Sequence, residues 1–225
     1  MIKLIICDLW NTLIPATIDF VRLASLARHE GKSLSEFIER YECATQLKVY
    51  RNFDELKKDF FSAFNWESKE WLEKELQEIY SNRFDKIDFF PDVPRNLVEL
   101  RDQGYKLALL SNTESLGVKL LERKLNLKDY FDLLEYSFEA KAIKPDSKAF
   151  EAVLSKLNFS PAEALMVGDS LRSDIAGAQK IGMHNCLINR LGKVIDAKKG
   201  VKPEFEIKSF GELRRVLGVL NAKRA

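Results

Sequence analysis

The chain has 225 residues, of which 46% are hydrophobic, so it can bury a substantial core and is not expected to be disordered. Its 36 Lys and Arg residues nearly balance 34 Asp and Glu residues, and the interleaving of these charges argues against nucleic acid as a partner. The sequence lacks an apolar run of about 18 residues, and its apolar start has no small-residue cleavage site, so neither a membrane span nor a signal peptide is expected.

Three cysteines, Cys7, Cys43 and Cys186, are widely spaced among apolar neighbours. An odd number with this spacing predicts buried free thiols rather than disulfides, which favours a reducing compartment. We therefore expect a cytoplasmic protein that binds neither membrane nor nucleic acid, and the sequence carries no signal for an oligomeric state.

The first part of the chain changes from a strand pattern to a helical one. Residues 2–7 are a continuous apolar, β-prone run, which is typical of a strand covered on both faces of a parallel sheet. Four long amphipathic segments follow between residues 15 and 89, with apolar side chains at three- and four-residue spacing. This region is predicted to be a four-helix cap inserted after the first strand.

Strand and helix patterns alternate again after the linker FFPDV at residues 89–93. The predicted strands are 105–111, 131–137, 164–168 and 185–189, and the predicted helices are 115–125, 146–157 and 172–181. The alternation predicts an α/β fold, a doubly wound parallel sheet of Rossmann-like type, formed by residues 1–14 and 90–225. Hinges near Pro15 and Pro91 are expected to let the cap open and close.

Polar residues gather where the predicted strands end. In an open parallel sheet the binding crevice lies beyond the carboxyl ends of the strands, so these residues are candidates for one site. They supply a carboxylate nucleophile, hydroxyl and amide donors, a fixed cation and further carboxylates, which together suit phosphoryl transfer. The residues are Asp8, Thr12, Ser111, Asn112, Lys144, Asp169 and Asp174.

Four motifs in these segments resemble those of the haloacid dehalogenase superfamily in order and spacing. The motifs are D-x-x-x-T from Asp8, S-N at Ser111, K-P at Lys144 and G-D-S-x-x-x-D from Gly168. The helical stretch before FFPDV also resembles the small cap of that superfamily. The resemblance therefore covers nearly the whole chain.

The resemblance implies a hydrolase in which Asp8 attacks phosphorus and forms an aspartyl-phosphate. It also implies a Mg²⁺ cofactor held by Asp8, the backbone carbonyl of Trp10 and Asp169. The expected substrate is a small phosphomonoester.

The remaining residues have implied supporting roles. Ser111 and the loop around Asn112 would bind the phosphoryl oxygens, and Lys144 would neutralise charge that develops on them. Asp174 would orient Lys144 or a metal-bound water. Thr12 would fix the nucleophile loop and donate to the carboxylate or the phosphate.

Trp10 departs from the superfamily pattern. In the phosphatases the residue two positions after the nucleophile is usually a second Asp, which protonates the leaving alcohol and then activates water. Indole carries only an N–H donor and cannot exchange a proton at neutral pH. Because general acid–base catalysis contributes roughly 10²- to 10⁴-fold, Trp10 predicts a slow phosphatase unless the leaving group is good.

Two alternatives follow from Trp10. The superfamily's dehalogenases have an aromatic Tyr at this position, and a halide needs no proton, so a 2-haloacid dehalogenase acting on a halogenated substrate is one alternative, with Arg40 as the cap residue nearest by position to receive the halide. Asp169 and Asp174 argue against it, since those dehalogenases lack the first of these acids and work without metal. A non-catalytic module that binds phosphate or a metabolite is the second alternative.

Several other residues favour structural roles. Arg40 lies between Glu39 and Glu42, which is more typical of a solvated helix face. An aromatic set at helical spacing is predicted to form the cap core: Phe60, Phe61, Phe64, Trp66 and Trp71. His29 and His184 have no identifiable partner and are assigned no function.

Overall fold

The structure is a computed structural model that describes residues 1–16, 20–80, 87–190, 192 and 200–222. Within these residues, parallel strands form one sheet in the order β3-β2-β1-β4-β5-β6. The strands are β1 Leu4–Cys7, β2 Lys106–Ser111, β3 Leu133–Tyr136, β4 Ala164–Gly168, β5 His184–Ile188 and β6 Phe205–Ile207.

Helices surround the sheet and fill the segment between β1 and β2. They are α1 Phe20–His29, α2 Leu34–Thr45, α3 Phe53–Phe64, α4 Glu70–Tyr80, α5 Val93–Asp102, α6 Val118–Leu125, α7 Leu127–Tyr130, α8 Ser137–Ala140, α9 Ser147–Leu157, α10 Ala176–Lys180 and α11 Leu213–Ala222. Short 3-10 turns lie at Pro161–Glu163 and Phe210–Glu212, and a π-helical turn lies at Leu171–Ile175. None of the helices in the described residues has the length and apolar character needed to cross a bilayer.

The apolar residues of β1 require cover on both faces of the sheet. Successive strand residues point to opposite faces, and all four residues of β1 are buried. Ile5 and Cys7 join an apolar cluster with α5, α6 and α11, whereas Leu4 and Ile6 join a cluster with α9 and α10. The predicted doubly wound parallel sheet is therefore confirmed.

Helices α1 to α4 share an apolar cluster of their own, separate from the two clusters on the sheet. The Ser33 side chain accepts from the Glu36 backbone and forms a capping box that starts α2, and Asn52 caps α3 through the backbone N–H of Glu55. The four amphipathic segments form helices as expected. Residues 17–19 and 81–86 of the predicted cap lie outside the described residues.

Most of the predicted cap aromatics do pack together, but Trp71 does not. Phe60, Phe61 and Phe64 are buried, and Trp66 packs against them. Trp71 is 44% exposed, so its assignment to the cap core is wrong. Its ring meets His29 edge-on at 4.9 Å between centroids, outside the cluster.

The sequence analysis did not predict several elements in the second half of the chain, among them β6, α11 and the four-residue helices α7 and α8. Strand β6 has only three residues at the sheet edge, which is too short for a periodic signal. Helix α11 does show the expected spacing, because its buried residues are Leu213, Val216, Leu217 and Leu220.

Two predicted helices begin differently from expectation. Helix α6 starts at Val118 rather than at residue 115, because Gly117 precedes it with a φ of 82°. The segment predicted as helix 172–181 starts as the π-helical turn and becomes α10 only at Ala176.

The cysteines divide into two kinds. Cys7 and Cys186 are buried as predicted, and burial raises the pKa of the Cys186 thiol to about 12. Cys43 is exposed, so the expectation of a third buried thiol is wrong. It lies on α2 away from the apolar side that packs in the cap.

Two helical glycines provide a test of packing between α10 and α9. A Cβ at Gly177 would overlap the Phe150 ring, so Gly177→Ala is expected to lower the free energy of unfolding by about 1–3 kcal/mol. Gly218 is exposed in α11, and no atom lies within 4 Å of a Cβ placed there. Gly218→Ala is therefore expected to raise the free energy of unfolding by about 0.5–1 kcal/mol. Urea unfolding of both variants measures the difference, and equal effects would contradict this packing.

Candidate active site

The carboxyl ends of three adjacent strands bring the first site residues together. β1 lies between β2 and β4, so Asp8 after β1 is next to Ser111 at the end of β2 and Asp169 after β4. The Asp8 backbone N–H donates to the Val167 carbonyl at 2.9 Å, which continues the β1–β4 ladder to the nucleophile position. The edge predicted from the strand pattern is therefore the edge where these polar residues lie.

Lys144 occupies the centre of the site as a fully buried cation. Its Nζ lies 2.7 Å from Asp8 Oδ1 and 2.7 Å from Asp174 Oδ1. Burial alone lowers the pKa of Lys144, but the Asp174 and Asp8 carboxylates outweigh burial and raise it above its ordinary value. The ammonium is therefore charged at neutral pH and holds two carboxylates that would otherwise repel each other.

Asn112 fixes the backbone that carries Lys144. Its Oδ1 accepts from the Lys144 backbone N–H at 2.9 Å, and its Nδ2 donates to the Lys144 carbonyl at 3.1 Å. Both functional groups of this amide are thus engaged with one peptide segment. The Asn112 side chain therefore positions Lys144, a role that the sequence analysis did not assign to Asn112.

Asp174 is held from the other side by the turn that follows β4. Its Oδ2 accepts from the Ser170 backbone N–H at 3.1 Å, and Ser170 Oγ in turn accepts from the Ser173 backbone N–H at 2.9 Å. Burial raises the pKa of Asp174, and the Asp8 charge adds to this, while Lys144 opposes both. Gly168 makes this packing possible because a Cβ there would overlap the Asp174 carboxylate.

Three carboxylates in the site form a donor set for a hard cation. Asp8, Asp169 and Asp174 each place an oxygen within 4.8 Å of the others. One lysine cannot neutralise three carboxylates at this separation, and oxygen ligands are those that Mg²⁺ prefers. The residues present therefore fit the divalent cation that the sequence motifs imply.

Two buried hydroxyls of the candidate site have no hydrogen-bond partner in the described part of the chain. They are Thr12 Oγ1 and Ser111 Oγ, and both residues are fully buried. Buried polar atoms are nearly always hydrogen-bonded in native proteins, so these two hydroxyls, near Asp8, suit a polar ligand. The Thr12 hydroxyl was expected to donate to the Asp8 carboxylate or to the phosphate, and of these two bonds the one to Asp8 is not formed.

The Arg190 side chain binds the backbone of the loop that follows Asp8. Its Nε and Nη2 donate to the Thr12 carbonyl at 3.0 and 2.9 Å, and its Nη1 contacts both Asp92 oxygens at 3.0 and 3.2 Å. The guanidinium also lies 4.1 Å above the Phe90 ring centroid. Sequence reasoning missed this residue, although it follows β5 at the same sheet edge that identified the others.

Trp10 lies in the nucleophile loop with its ring half-buried against the apolar cluster on one face of the sheet. The loop is tight, since Asn11 has a φ of 56° and its backbone N–H donates to the Ile14 carbonyl at 2.6 Å. The position two residues after Asp8 therefore carries an apolar packing group.

A cavity of about 560 Å³ lies between helix α2 and the core beside Lys144. Glu39, Glu42 and Cys43 of α2 line it on one side, and Arg172 is among the lining residues from the core. Arg172 Nη2 donates to Glu42 Oε2 at 3.3 Å across this cavity. Sequence reasoning missed this pair because no spacing rule relates a cap helix to the turn after β4.

Arg40 does not line this cavity. Its Nε and Nη2 donate to the Ala63 carbonyl, its Nη1 pairs with Glu30 at 2.8 Å, and its guanidinium lies 4.8 Å from the Phe64 ring centroid. These contacts tie α2 to α3 within the cap. The Arg40 side chain remains partly exposed on the helix surface, and it is not positioned to receive a halide in the cavity.

The two histidines also lie away from the site. His29 packs edge-on against Trp66 and Trp71, and His184 Nδ1 lies 2.8 Å from Glu204 Oε2 at the β5–β6 side of the sheet. Neither is assigned a catalytic role.

Comparison with known proteins supports the motif reading. A model of a hydrolase family, the haloacid dehalogenase-like hydrolases, matches residues 2–182, which is most of the chain. The chain belongs to this family. As a haloacid dehalogenase-like hydrolase, it is an enzyme that cleaves a bond with water.

Curated relatives include both phosphatases and a dehalogenase. A glyceraldehyde 3-phosphate phosphatase of Pyrococcus abyssi is 30% identical over 198 residues, 81% of this chain and 79% of that protein. A ribulose-1,5-bisphosphate 5-phosphatase of Halopiger xanaduensis is 38% identical over 111 residues, 49% of this chain and 46% of that protein, so the match spans under half of that relative. An (S)-2-haloacid dehalogenase of Pseudomonas sp. is 32% identical over 121 residues, 54% of this chain and 51% of that protein.

A solved structure extends the similarity over the whole fold. A haloacid dehalogenase-family phosphatase from Thermococcus onnurineus has a TM-score of 0.61 and 30% identity, and the match covers 96% of this chain and 98% of that one. The family architecture therefore includes the helical segment between β1 and β2.

Gly168 offers a test of the site's construction. Gly168→Ala is expected to displace the Asp174 carboxylate, separate it from Lys144, and lower the free energy of unfolding by about 1–3 kcal/mol. Thermal unfolding and Mg²⁺ titration calorimetry would measure the effect, with Gly218→Ala as the matched control. Unchanged stability together with unchanged Mg²⁺ affinity would contradict the assigned packing.

Proposed function

We propose that the chain is a Mg²⁺-dependent phosphatase of small phosphomonoesters that acts through an aspartyl-phosphate on Asp8. The observation that carries the proposal is the Lys144 ammonium held between Asp8 and Asp174, 2.7 Å from each, inside a cluster of three carboxylates. A carboxylate nucleophile beside a fixed cation and buried hydroxyl donors is suited to phosphoryl transfer.

Each residue of the candidate site has a defined role in the proposed reaction. An Asp8 oxygen forms a bond to phosphorus as the bond from phosphorus to the leaving oxygen breaks, and water later hydrolyses the acyl phosphate. Ser111 and Thr12 bind the phosphoryl oxygens with their buried hydroxyls. Lys144 neutralises charge on those oxygens, and Asp174 holds Lys144 in place.

The proposed Mg²⁺ ligands are Asp8, Asp169 and the backbone carbonyl of Trp10. When bound, the cation supplies charge neutralisation that lets an anionic substrate approach an anionic nucleophile. The two phosphatases described above act, by name, on glyceraldehyde 3-phosphate and ribulose-1,5-bisphosphate, which are small phosphorylated sugars, and this supports a substrate of that class.

We further propose that residues 1–14 and 90–225 form the catalytic core and residues 15–89 a cap that closes over it. The separate apolar cluster of α1 to α4 and the cavity between α2 and the core support this division. Closure about linkers near Pro15 and Pro91 would exclude water. The buried thiols Cys7 and Cys186 suit the cytosol as the proposed compartment.

The dehalogenase alternative rests on Trp10 and on the (S)-2-haloacid dehalogenase relative. Two observations weigh against it. Arg40 is engaged within the cap, and the retained carboxylates Asp169 and Asp174 form a cation site that halide displacement does not need. A binding module without turnover would bind phosphate at the same residues and differs only in the outcome of the assay.

A paired assay on wild type and Asp8→Asn tests the proposal. Phosphate release from an activated aryl phosphate and halide release from a 2-haloacid are followed, each with Mg²⁺ and with chelator. We expect Mg²⁺-dependent phosphate release that chelator abolishes and Asp8→Asn reduces to background. Metal-independent halide release would establish the dehalogenase, and binding of phosphate without release from either substrate would establish the module.

Trp10 gives a second prediction. Trp10→Asp places a titratable carboxyl in the loop after Asp8, so we expect turnover of an alkyl phosphate to rise about tenfold, because an acid in this loop adds to any proton donor elsewhere in the site. Trp10→Asn is the matched control, because an Asn side chain has the same shape as Asp but carries no acidic group. Equal turnover of the two variants, both properly folded by circular dichroism, would contradict this account of the position.

A further inference from the structure

Hydrolysis of an alkyl phosphate requires a proton donor for its leaving oxygen, because an alkoxide is a poor leaving group. Trp10 cannot give up a proton at neutral pH. Asp8 is the proposed nucleophile and Asp169 a proposed metal ligand, and both oxygens of Asp174 are engaged, Oδ1 by Lys144 and Oδ2 by the Ser170 backbone N–H. A donor must therefore come from elsewhere around the cavity beside Lys144.

Three further carboxylates line that cavity within the described residues, and they differ in exposure. The Glu39 side chain is 66% exposed, and exposed Asp146 caps α9 by accepting from the Lys148 backbone N–H. The Glu42 side chain is only 17% exposed. Glu42 is thus the carboxyl group in the cavity wall that is withdrawn from water.

Arg172 fixes Glu42 relative to the catalytic core. Glu42 Oε2 accepts from Arg172 Nη2 at 3.3 Å, and Arg172 belongs to the same π-helical turn as Asp174. In the described part of the chain Glu42 Oε1 makes no hydrogen bond. One oxygen of this cap carboxyl is therefore anchored to the core and the other is available to a substrate in the cavity.

On the basis of the proposed phosphatase function, we propose that Glu42 is the general acid and base of the reaction, supplied by the cap in place of a residue of the nucleophile loop. The Glu42 carboxyl gives its proton to the leaving oxygen as the bond from that oxygen to phosphorus breaks. The resulting carboxylate then takes a proton from water as the water oxygen bonds to phosphorus and the Asp8–phosphorus linkage breaks. The acid form is regenerated, and the proton balance closes with alcohol and phosphate as products.

The electrostatics of the cavity support this role. Burial raises the pKa of Glu42, while Arg172 and Lys144 oppose the shift and Asp8 adds to it. The net direction is upward, which is the direction that a carboxyl acting as a general acid requires. Glu42 also lines the same cavity as Lys144, whose ammonium contacts Asp8.

The test compares two substrates with different leaving groups. Glu42→Gln is expected to lower kcat/KM for an alkyl phosphate by about 10²-fold, and for an activated aryl phosphate by less than about threefold, because an activated phenolate leaves without a proton. Glu36→Gln is the matched control, since Glu36 is an exposed carboxylate on the same helix, α2, and does not line the cavity. It is expected to change neither substrate by more than about twofold.

A double variant separates the acid role from a structural one. In the Glu42→Gln background, Trp10→Asp is expected to restore alkyl phosphate turnover, whereas Trp10→Asn is not. An equal loss for both substrates would show that Glu42 only holds the cap through Arg172, and no loss for either would also overturn the proposal. If the wild-type protein released no phosphate that depended on Asp8, the phosphatase proposal itself would fail. If Glu42→Gln kept its aryl phosphate turnover and the wild-type ratio of kcat/KM for the two substrates, only the Glu42 proposal would fail.

Discussion

The buried ammonium of Lys144 is the interaction on which the site depends. A lysine buried between two carboxylates is stable only if every charge has a partner, because removing one partner leaves an uncompensated charge in a medium of low polarity. Much of the neighbouring structure serves this arrangement. Asn112, after β2, hydrogen-bonds the backbone of Lys144. After β4, the Ser170 backbone N–H binds the Asp174 carboxylate, and Gly168 leaves room for it because it has no Cβ.

The sheet and most of this site could be predicted because one rule relates sequence to position there. Strands in a parallel sheet end at a common edge, so a polar residue directly after an apolar run, such as Asp8 or Asp169, lies at that edge. The same rule could have identified Arg190, which follows β5. It could not have identified strand β6, because three residues at a sheet edge give no periodic pattern.

The cap residues were harder to place because periodicity identifies an apolar stripe but not what covers the other faces of a helix. Helix α2 shows the difference. Phe37 and Tyr41, four residues apart, pack in the cap, whereas Glu39, Glu42 and Cys43 point to the cavity. Neither the exposure of Cys43 nor the pair between Glu42 and Arg172 could be read from spacing, since both depend on how the cap meets the core.

The contrast between Trp10 and Glu42 relates the chemistry to the position of the cap. The Trp10 ring packs on the sheet cluster, so the nucleophile loop contributes packing where an acid could stand. Glu42 reaches the cavity only from α2, and the Arg172 pair joins α2 to the turn that carries Asp174. If Glu42 is the acid and Asp8 the nucleophile, as proposed, the two groups can act together only when α2 lies against the sheet that carries Asp8. Proton transfer to an alkyl leaving group would then be confined to the closed form, in which bulk water is excluded from the acyl phosphate until the alcohol departs.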